Sequence, residues 1–485
     1  MRDKYIELIK EYIKLKPEYK LTIEEIRTNI LTVGATEEEL NEAIKQLTGL
    51  PFTTHLMANK SHKHSKSLSR FKKHNAKRTI GGLSVMFTLL IFTLYSFLIP
   101  AKQSQNTTLQ NKTSVLGKKT ELKKLIPVVF ANTKPMNAEK VFSYPESGTQ
   151  PVIVDKPQKE VFGFFPYWML DKSSEIDLRY LTSISLFGIE IDGKGGIVTA
   201  DNNGQLDGGW SMWNDPRMDG LIRRARDNNL KVYITLKSLS NNNIQDLMRS
   251  PQAQKAFISN AIYLVNSKNL DGVNLDFEFI GTAPPDIKSG FVRLTTNLNA
   301  ELKRQVPHAT LTVCTYIHSA SVDTFFDIPL LAQVSDAFVV MGYDMSLPFG
   351  PAGPIAAMGG KTSVSNYLKD YLENVSADKI ILAVPYYGYD WAKTNSSQTE
   401  MLSYAQIAEE SKKSQIRWDS VTQTPSYTYT TNSVLHEVHF DSVRSLGIKY
   451  DLINKQKLKG VGIWALGYDG QNSDLQKLIV DKFYK

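Results

Sequence analysis

The apolar positions of this 485-residue chain change their period along its length. From Val161 onward, short β-branched or aromatic runs alternate with stretches of helical spacing. The runs predict strands at Val161–Pro166, Ser183–Ile189, Lys231–Leu236, Gly272–Phe277, Leu311–Tyr316, Ala337–Met341, Ile380–Pro385 and Gly460–Ala465. Helix-like segments fall between them, among them Asp219–Asn228, Pro251–Lys268, Gly290–Gln305, Val364–Asn374 and Val443–Lys457. Eight strands separated by helices fit an α/β fold of the (β/α)8 TIM barrel type. A doubly wound open sheet is the rival, and it carries a Gly-rich phosphate loop after its first strand. Here Pro166-Tyr167-Trp168 stand in that place. The longest gap, Gly388–Lys459, predicts a small α+β insertion at about 391–457 between the seventh and eighth strands, with Ser426–Thr430 as one β piece.

Upstream the pattern differs. Tyr5, Ile6, Ile9 and Ile13 form one apolar stripe. Thr22 with Glu25 and Thr36 with Glu39 fit capping boxes, and Gly34 separates two helical stretches. Residues 1–50 therefore predict a small N-terminal helical bundle, a packing or interaction module. Residues 51–78 lose apolar periodicity and read as a basic tether. From Thr79 to Ile99 there are 21 residues without a charge, closed by Pro100. A helix of this length spans roughly 30 Å, the hydrocarbon thickness of a bilayer. The stretch lies too far from the N-terminus, and is too long, for a cleaved signal peptide. Residues 100–158 are rich in Gln, Asn, Thr, Ser, Lys and Pro and read as an extended linker, with local order conceivable around the apolar run Leu125–Ala131.

Charge sharpens this organisation. The whole chain carries a net +8, yet residues 160–485 hold 31 Lys+Arg against 35 Asp+Glu. The excess lies on both sides of the uncharged stretch: 16 against 10 in residues 1–78, and 10 against 4 in residues 101–159. Eight of the basic residues, from Lys60 to Arg78, crowd the N-terminal side. The positive-inside rule then places residues 1–78 in the cytoplasm and residue 101 onward outside the cell, as a single-pass membrane protein. Anionic lipid headgroups suit the basic flank better than nucleic acid, which is not expected as a partner. A cytoplasmic protein is the partner expected for residues 1–50. One cysteine, Cys314, excludes an internal disulfide framework, and no Cys/His cluster has zinc-ligand spacing.

Barrel chemistry belongs at the C-terminal ends of the strands. The fourth predicted strand reads Asp271-Gly272-Val273-Asn274-Leu275-Asp276-Phe277-Glu278. Alternation sends Val273, Leu275, Phe277 and Phe279 toward the helices, and Asn274, Asp276 and Glu278 into the barrel. Two carboxylates roughly 6–7 Å apart along a strand raise each other's pKa, and burial adds to the effect. That yields a proton donor beside an ionised partner. A calcium or magnesium site and a structural polar network remain the alternatives at this point.

The run DGVNLDFE resembles the DxxDxDxE signature of glycoside hydrolase family 18, the chitinase-like enzymes. Three further segments match in order. Gly163-Phe164-Phe165-Pro166-Tyr167-Trp168 is similar to the family's first strand, Met341-Gly342-Tyr343-Asp344 to its M-x-Y-D, and Gly462–Asp469 to its last strand with a sugar-stacking Trp. The resemblance covers about residues 160–485. It implies Glu278 as the general acid/base, with no enzyme nucleophile: the substrate's 2-acetamido oxygen attacks the anomeric carbon. Asp276 would hold the acetamido N–H and stabilise the oxazolinium ion. Tyr343 would bond the acetamido carbonyl, Asp344 a sugar hydroxyl, and Trp464 would floor the reacting sugar. Asn274 and Asp271 would support the acids, and Met341, Phe165 and Tyr386 would line the substrate cleft. No cofactor and no metal are implied.

Two departures stand out. Asn274 replaces the middle Asp and cannot ionise, although it can still hydrogen-bond Asp276; this resembles the spore-cortex and cell-wall N-acetylglucosaminidase branch. After the third strand Leu236-Lys237-Ser238-Leu239-Ser240 stand where the family has S-x-G-G. The expected function is a membrane-anchored retaining glycosidase, cutting β-1,4 bonds next to N-acetylglucosamine in peptidoglycan or a chitin-like glycan. The alternatives are a catalytically silent, lectin-like glycan-binding protein and a sensor coupled to residues 1–50. Silent relatives typically lose the acid, and Glu278 is present.

Overall fold

The computed structural model describes residues 133–136, 141–143 and 157–484, apart from 202, 394–398 and 471. The predicted helical bundle, basic tether and membrane span lie outside these residues. Among the described residues no helix is long and apolar enough to cross a membrane.

The strands in chain order are β1 (Thr133–Met136), β2 (Glu160–Pro166), β3 (Ser183–Glu190), β4 (Lys231–Ser238), β5 (Gly272–Phe277), β6 (Thr310–Tyr316), β7 (Ala337–Met341), β8 (Ile380–Pro385), β9 (Tyr387–Ala392), β10 (Glu400–Ser403), β11 (Ile416–Asp419), β12 (Thr424–Thr431), β13 (Val434–Phe440) and β14 (Gly460–Trp464). Helices are α1 (Gly208–Trp213), α2 (Pro216–Asp227), α3 (Asn241–Arg249), α4 (Pro251–Ser267), α5 (Pro285–Gln305), α6 (Ile328–Val334), α7 (Val364–Asn374), α8 (Tyr404–Glu410), α9 (Val443–Lys455) and α10 (Asp474–Phe483).

The eight predicted runs are all strands. They close in parallel as β14-β2-β3-β4-β5-β6-β7-β8, which excludes the open doubly wound sheet. Helix starts follow local chemistry. Ser250 caps α4, accepting a bond from the Ala253 N–H with Pro251 at the first position. Ser442 and Ser445 form a reciprocal cap on α9. Inside the barrel, Phe162, Phe164, Tyr233, Cys314, Val339 and Ala383 pack together. On the outside, Phe277 of β5 meets Phe257 of α4 at 5.7 Å and Phe291 of α5 at 5.8 Å between ring centroids.

The insertion is larger than the sequence pattern suggests. Only Tyr386 separates β8 from β9, so the second sheet starts at Tyr387 rather than near 391. Five of its strands come from the insertion. The sixth, β1, comes from the segment read as linker and pairs antiparallel with β11, Thr133 opposite Asp419 and Met136 opposite Ile416. Val141 is fully buried with Leu402, Ile407, Tyr427 and Phe440, and the Phe142 ring stacks on Phe440 at 5.5 Å. Burying a side chain such as Val141 contributes roughly 1.5–3 kcal/mol. Within the stretch read as an extended linker, residues 133–136 and 141–142 are thus ordered against the second sheet. The polar composition of that stretch masked a short pairing segment whose apolar contacts come two residues at a time.

Candidate active site

β5 alternates as its sequence predicts. Asn274 and Asp276 are buried, 0% and 4% exposed, and Glu278 follows half-buried at the mouth. The Glu278 N–H bonds the Ser238 carbonyl at 3.0 Å, which extends the ladder beyond the last strand residue and fixes the acid beside β4. Burial pushes the Glu278 carboxyl well above the usual glutamate range; the charges of Asp276 and then Asp344 push the same way, and Lys237 opposes them. Asp276 is also raised by burial, while a hydrogen bond from Cys314 and the charge of Lys237 draw it back. Both carboxyls are thus raised: Glu278 well above its usual range, and Asp276 to about 6, its rise restrained by Cys314 and Lys237.

Asn274 does not spend its amide on Asp276. Its Nδ2 donates to Cys314 Sγ at 3.2 Å and Thr235 Oγ1 at 3.3 Å, and its Oδ1 accepts from Thr312 Oγ1 at 2.7 Å. Cys314 stands between the two residues, with its thiol bonded to the Asp276 carboxylate. The direct Asn274–Asp276 bond that the amide could make is not formed, because Thr235, Thr312 and the thiol already surround the amide.

Past β7, Asp344 takes a left-handed backbone at φ 57°. Its Oδ1 accepts from the hydroxyls of Tyr387 at 2.5 Å and Tyr389 at 3.1 Å. Burial raises this carboxyl and the two tyrosine bonds lower it. Tyr343 is half-buried, with its ring 6.0 Å from Tyr387. Trp464 ends β14 within an aromatic floor, 4.6 Å from Phe187, 5.7 Å from Phe164 and 6.2 Å from Trp168. Tyr343, Met341, Trp464 and Trp168 are the partly exposed members of this layer. The Trp464–Ala465 peptide is cis.

Three sequence-derived assignments fall away from the mouth. Phe165 is fully buried, and alternation turns it from the interior face that its neighbour Phe164 occupies. Tyr386 points into the outer layer, its hydroxyl 3.1 Å from that of Tyr450 on α9; Tyr387 faces the site instead. Asp271 sits at the opposite end of β5, where Oδ2 accepts from the Val232 N–H at 2.8 Å.

The sequence reading also missed functional neighbours. It ended the third strand at Leu236, but β4 continues to Ser238 and brings Lys237 inside. Lys237 forms an ion pair with buried Glu190. Continued alternation from Thr235 would have revealed Lys237. For Cys314 the signal was its inward position on β6, and for Tyr387 and Tyr389 their two-residue spacing.

The model of "Glycosyl hydrolases family 18" matches residues 160–469. The cortical fragment-lytic enzyme of Bacillus anthracis is 27% identical over 230 residues, 46% of this chain and 52% of that protein. Di-N-acetylchitobiase of Rattus norvegicus is 23% identical over 263 residues, 48% of this chain and 68% of that protein. This chain spans about half to two-thirds of the length of the curated relatives it matches. Among solved structures, the spore cortex-lytic enzyme SleL of Bacillus megaterium QM B1551 aligns with a TM-score of 0.57 at 21% identity, covering 70% of this chain and 76% of that one. A family 18 chitinase of Cycas revoluta in complex with (GlcNAc)3 aligns with a TM-score of 0.58 at 20% identity, covering 67% and 99%. These likenesses between structures are of fold.

Proposed function

Because this chain belongs to the glycosyl hydrolases of family 18, we propose that it is a retaining glycosidase that hydrolyses β-1,4 bonds adjacent to N-acetylglucosamine by substrate-assisted catalysis. The observation that carries the reading is the inward pair Asp276–Glu278, with Glu278 half-open at the mouth and its carboxyl raised well above the usual range by burial and by the charge of Asp276. Glu278 gives its proton to the glycosidic oxygen as the C–O bond breaks. The substrate's acetamido oxygen forms the new bond at the anomeric carbon, giving an oxazolinium ion whose N–H faces Asp276. Tyr343 bonds the acetamido group and fixes it for attack. Glu278, now ionised, takes a proton from the water that opens the ring and restores the configuration. Trp464 floors the reacting sugar, and Asp344 meets a hydroxyl.

Peptidoglycan or a chitin-like glycan is the proposed substrate, which the names of the cortical fragment-lytic enzymes and chitobiase relatives support. Residues 79–99 anchor the chain in the cell membrane, the basic flank rests on anionic lipid, residues 1–50 face a cytoplasmic protein partner, and the barrel works outside the cell. The supporting observation is the uncharged run with its asymmetric basic flank.

Mass spectrometry of products from the full chain incubated with peptidoglycan and with chitin oligomers tests the reading. New reducing ends at N-acetylglucosamine are expected. Oligosaccharide binding without any cleavage would overturn it in favour of a lectin.

A further inference from the structure

Lys237 takes no part in the steps above, yet two backbone devices install it at the mouth. β4 runs on to Ser238, so Lys237 turns inward in register with Asp276 on β5. On the other side, β3 is irregular: Phe187 pairs with Thr235, but Ile189 pairs with Leu236 and Glu190 with Lys237. Glu190 lies three positions beyond inward-facing Phe187, so plain alternation would turn it toward the helices. The extra residue of the bulge returns it to the interior. That extra residue is Gly188. A Cβ there would meet Lys237 Cδ at 2.9 Å, so the lysine stem fills room that a glycine leaves.

Lys237 and Glu190 are only 2% and 1% exposed and form an ion pair. Apolar residues of similar volume stabilise a fold as well as such a pair or better, so stability alone does not explain it. What the pair brings is a cation beside the acids. Lys237 lowers the carboxyls of both Asp276 and Glu278, and outweighs the smaller raising of Asp276 by the Glu190 charge. The residue two before Asp276 on the same face is an amide, Asn274, which cannot ionise and is bonded elsewhere.

Resting on the glycosidase reading, we propose that Lys237 is a positioning residue of this site: seated on Glu190, it holds Asp276 as the carboxylate, the task left open by the amide at Asn274. Asp276 is faced by Glu278 on its own strand, by Lys237 and Glu190 from β4 and β3, and by Cys314 and Tyr316 from β6. Tyr343 lies across from it after β7, next to Asp344. Asp207 and Tyr167 add their influence at Glu190. Lys237 is the cation of this group. An ionised Asp276 meets the oxazolinium N–H and keeps the proton on Glu278, so the effect of Lys237 on turnover passes through Asp276.

The test uses the full chain and the double variant Lys237→Met/Glu190→Gln, which removes both charges together and leaves neither buried alone. Two readouts are taken: the pH profile of kcat/KM on an aryl chitobioside, and the titration of Asp276 followed by carboxyl 13C NMR and assigned with Asp276→Asn. The acid limb and the Asp276 titration are both expected to move up, by less than the full unit that an unopposed cation would account for, because the larger lowering by Lys237 is lost together with the smaller raising by Glu190. Turnover falls while KM holds, and Lys237→Arg keeps the limb near its wild-type position. Glu190→Gln alone removes a competing negative charge and moves the limb to lower pH. That single variant decides the matter if the double variant does not fold. A folded double variant, or Glu190→Gln, with unmoved limb and titration would overturn the proposal. Wild-type protein that cleaves no glycan would overturn the glycosidase reading, and the Asp276 titration would still decide the role of Lys237.

Discussion

The two ends of β5 treat the same functional group in opposite ways. At its foot, Asp271 accepts a backbone N–H from the neighbouring strand and clamps β4 to β5. At its mouth, buried Asp276 and half-buried Glu278 stand on one face, both carboxyls are driven upward by burial, and the charge of Asp276 pushes Glu278 further. The difference lies in what surrounds each group. A backbone donor makes an acid structural; desolvation and a like-charged neighbour make it reactive. Position along the strand, and not residue type, separates the two roles.

The strongest way to break this comparison is Glu278→Gln. Turnover is expected to fall by about 10²–10⁴-fold, the usual worth of a general acid, while oligosaccharide binding persists in isothermal titration. Its stability should change in the opposite sense. The folded carboxyl is raised above its ordinary pKa of 4.5, so its contribution to stability is present at acid pH and is lost as pH rises through the folded value. Glutamine stays neutral throughout. The Tm of Glu278→Gln minus that of wild type should therefore open above the ordinary glutamate range and widen with pH. A gap that stays flat from acid to neutral pH would contradict the shifted acid.

Next in size is a contrast between neighbours. Tyr387→Phe removes a hydrogen bond to the Asp344 carboxylate, a charged-group bond of about 1.5–3 kcal/mol, and kcat/KM should fall about tenfold or more. Tyr386→Phe loses only the bond to Tyr450, about 1 kcal/mol of stability, with unchanged kinetics. Equal kinetic losses would mean that both tyrosines reach the substrate. Asp271→Ala leaves the Val232 N–H without its acceptor and should lower the urea-derived stability by about 1–3 kcal/mol with kcat intact. A kinetic defect there would erase the division between foot and mouth. The smallest expected effect is none at all: dialysis against a chelator should leave the rate unchanged, and a lost rate would return the acids to the metal reading.

Most of this architecture was legible in the sequence, for a physical reason. Parallel strands buried on both faces are short apolar runs, and each of the eight stood out. The period-two rule then put Asn274, Asp276 and Glu278 on one face without any coordinates. It failed where local pattern was overridden. Glu190 reaches the interior only through a bulge, which shifts the face by one residue. Tyr386 and Tyr387 are chemically equivalent in sequence, and a one-residue step between β8 and β9 decides which one faces Asp344. Phe165 went astray by the same one-step margin beside Phe164. β1 escaped because four residues paired at the edge of a distant sheet carry no period of their own.

That edge strand has a mechanical consequence. β1 precedes the barrel in the chain but is stitched to β11 of the second sheet, so the inserted unit is not a cassette that could be cut out between β8 and β14 without leaving β1 without its neighbour. A pull arriving from the N-terminal side meets the β1–β11 seam before it meets the barrel wall at β2.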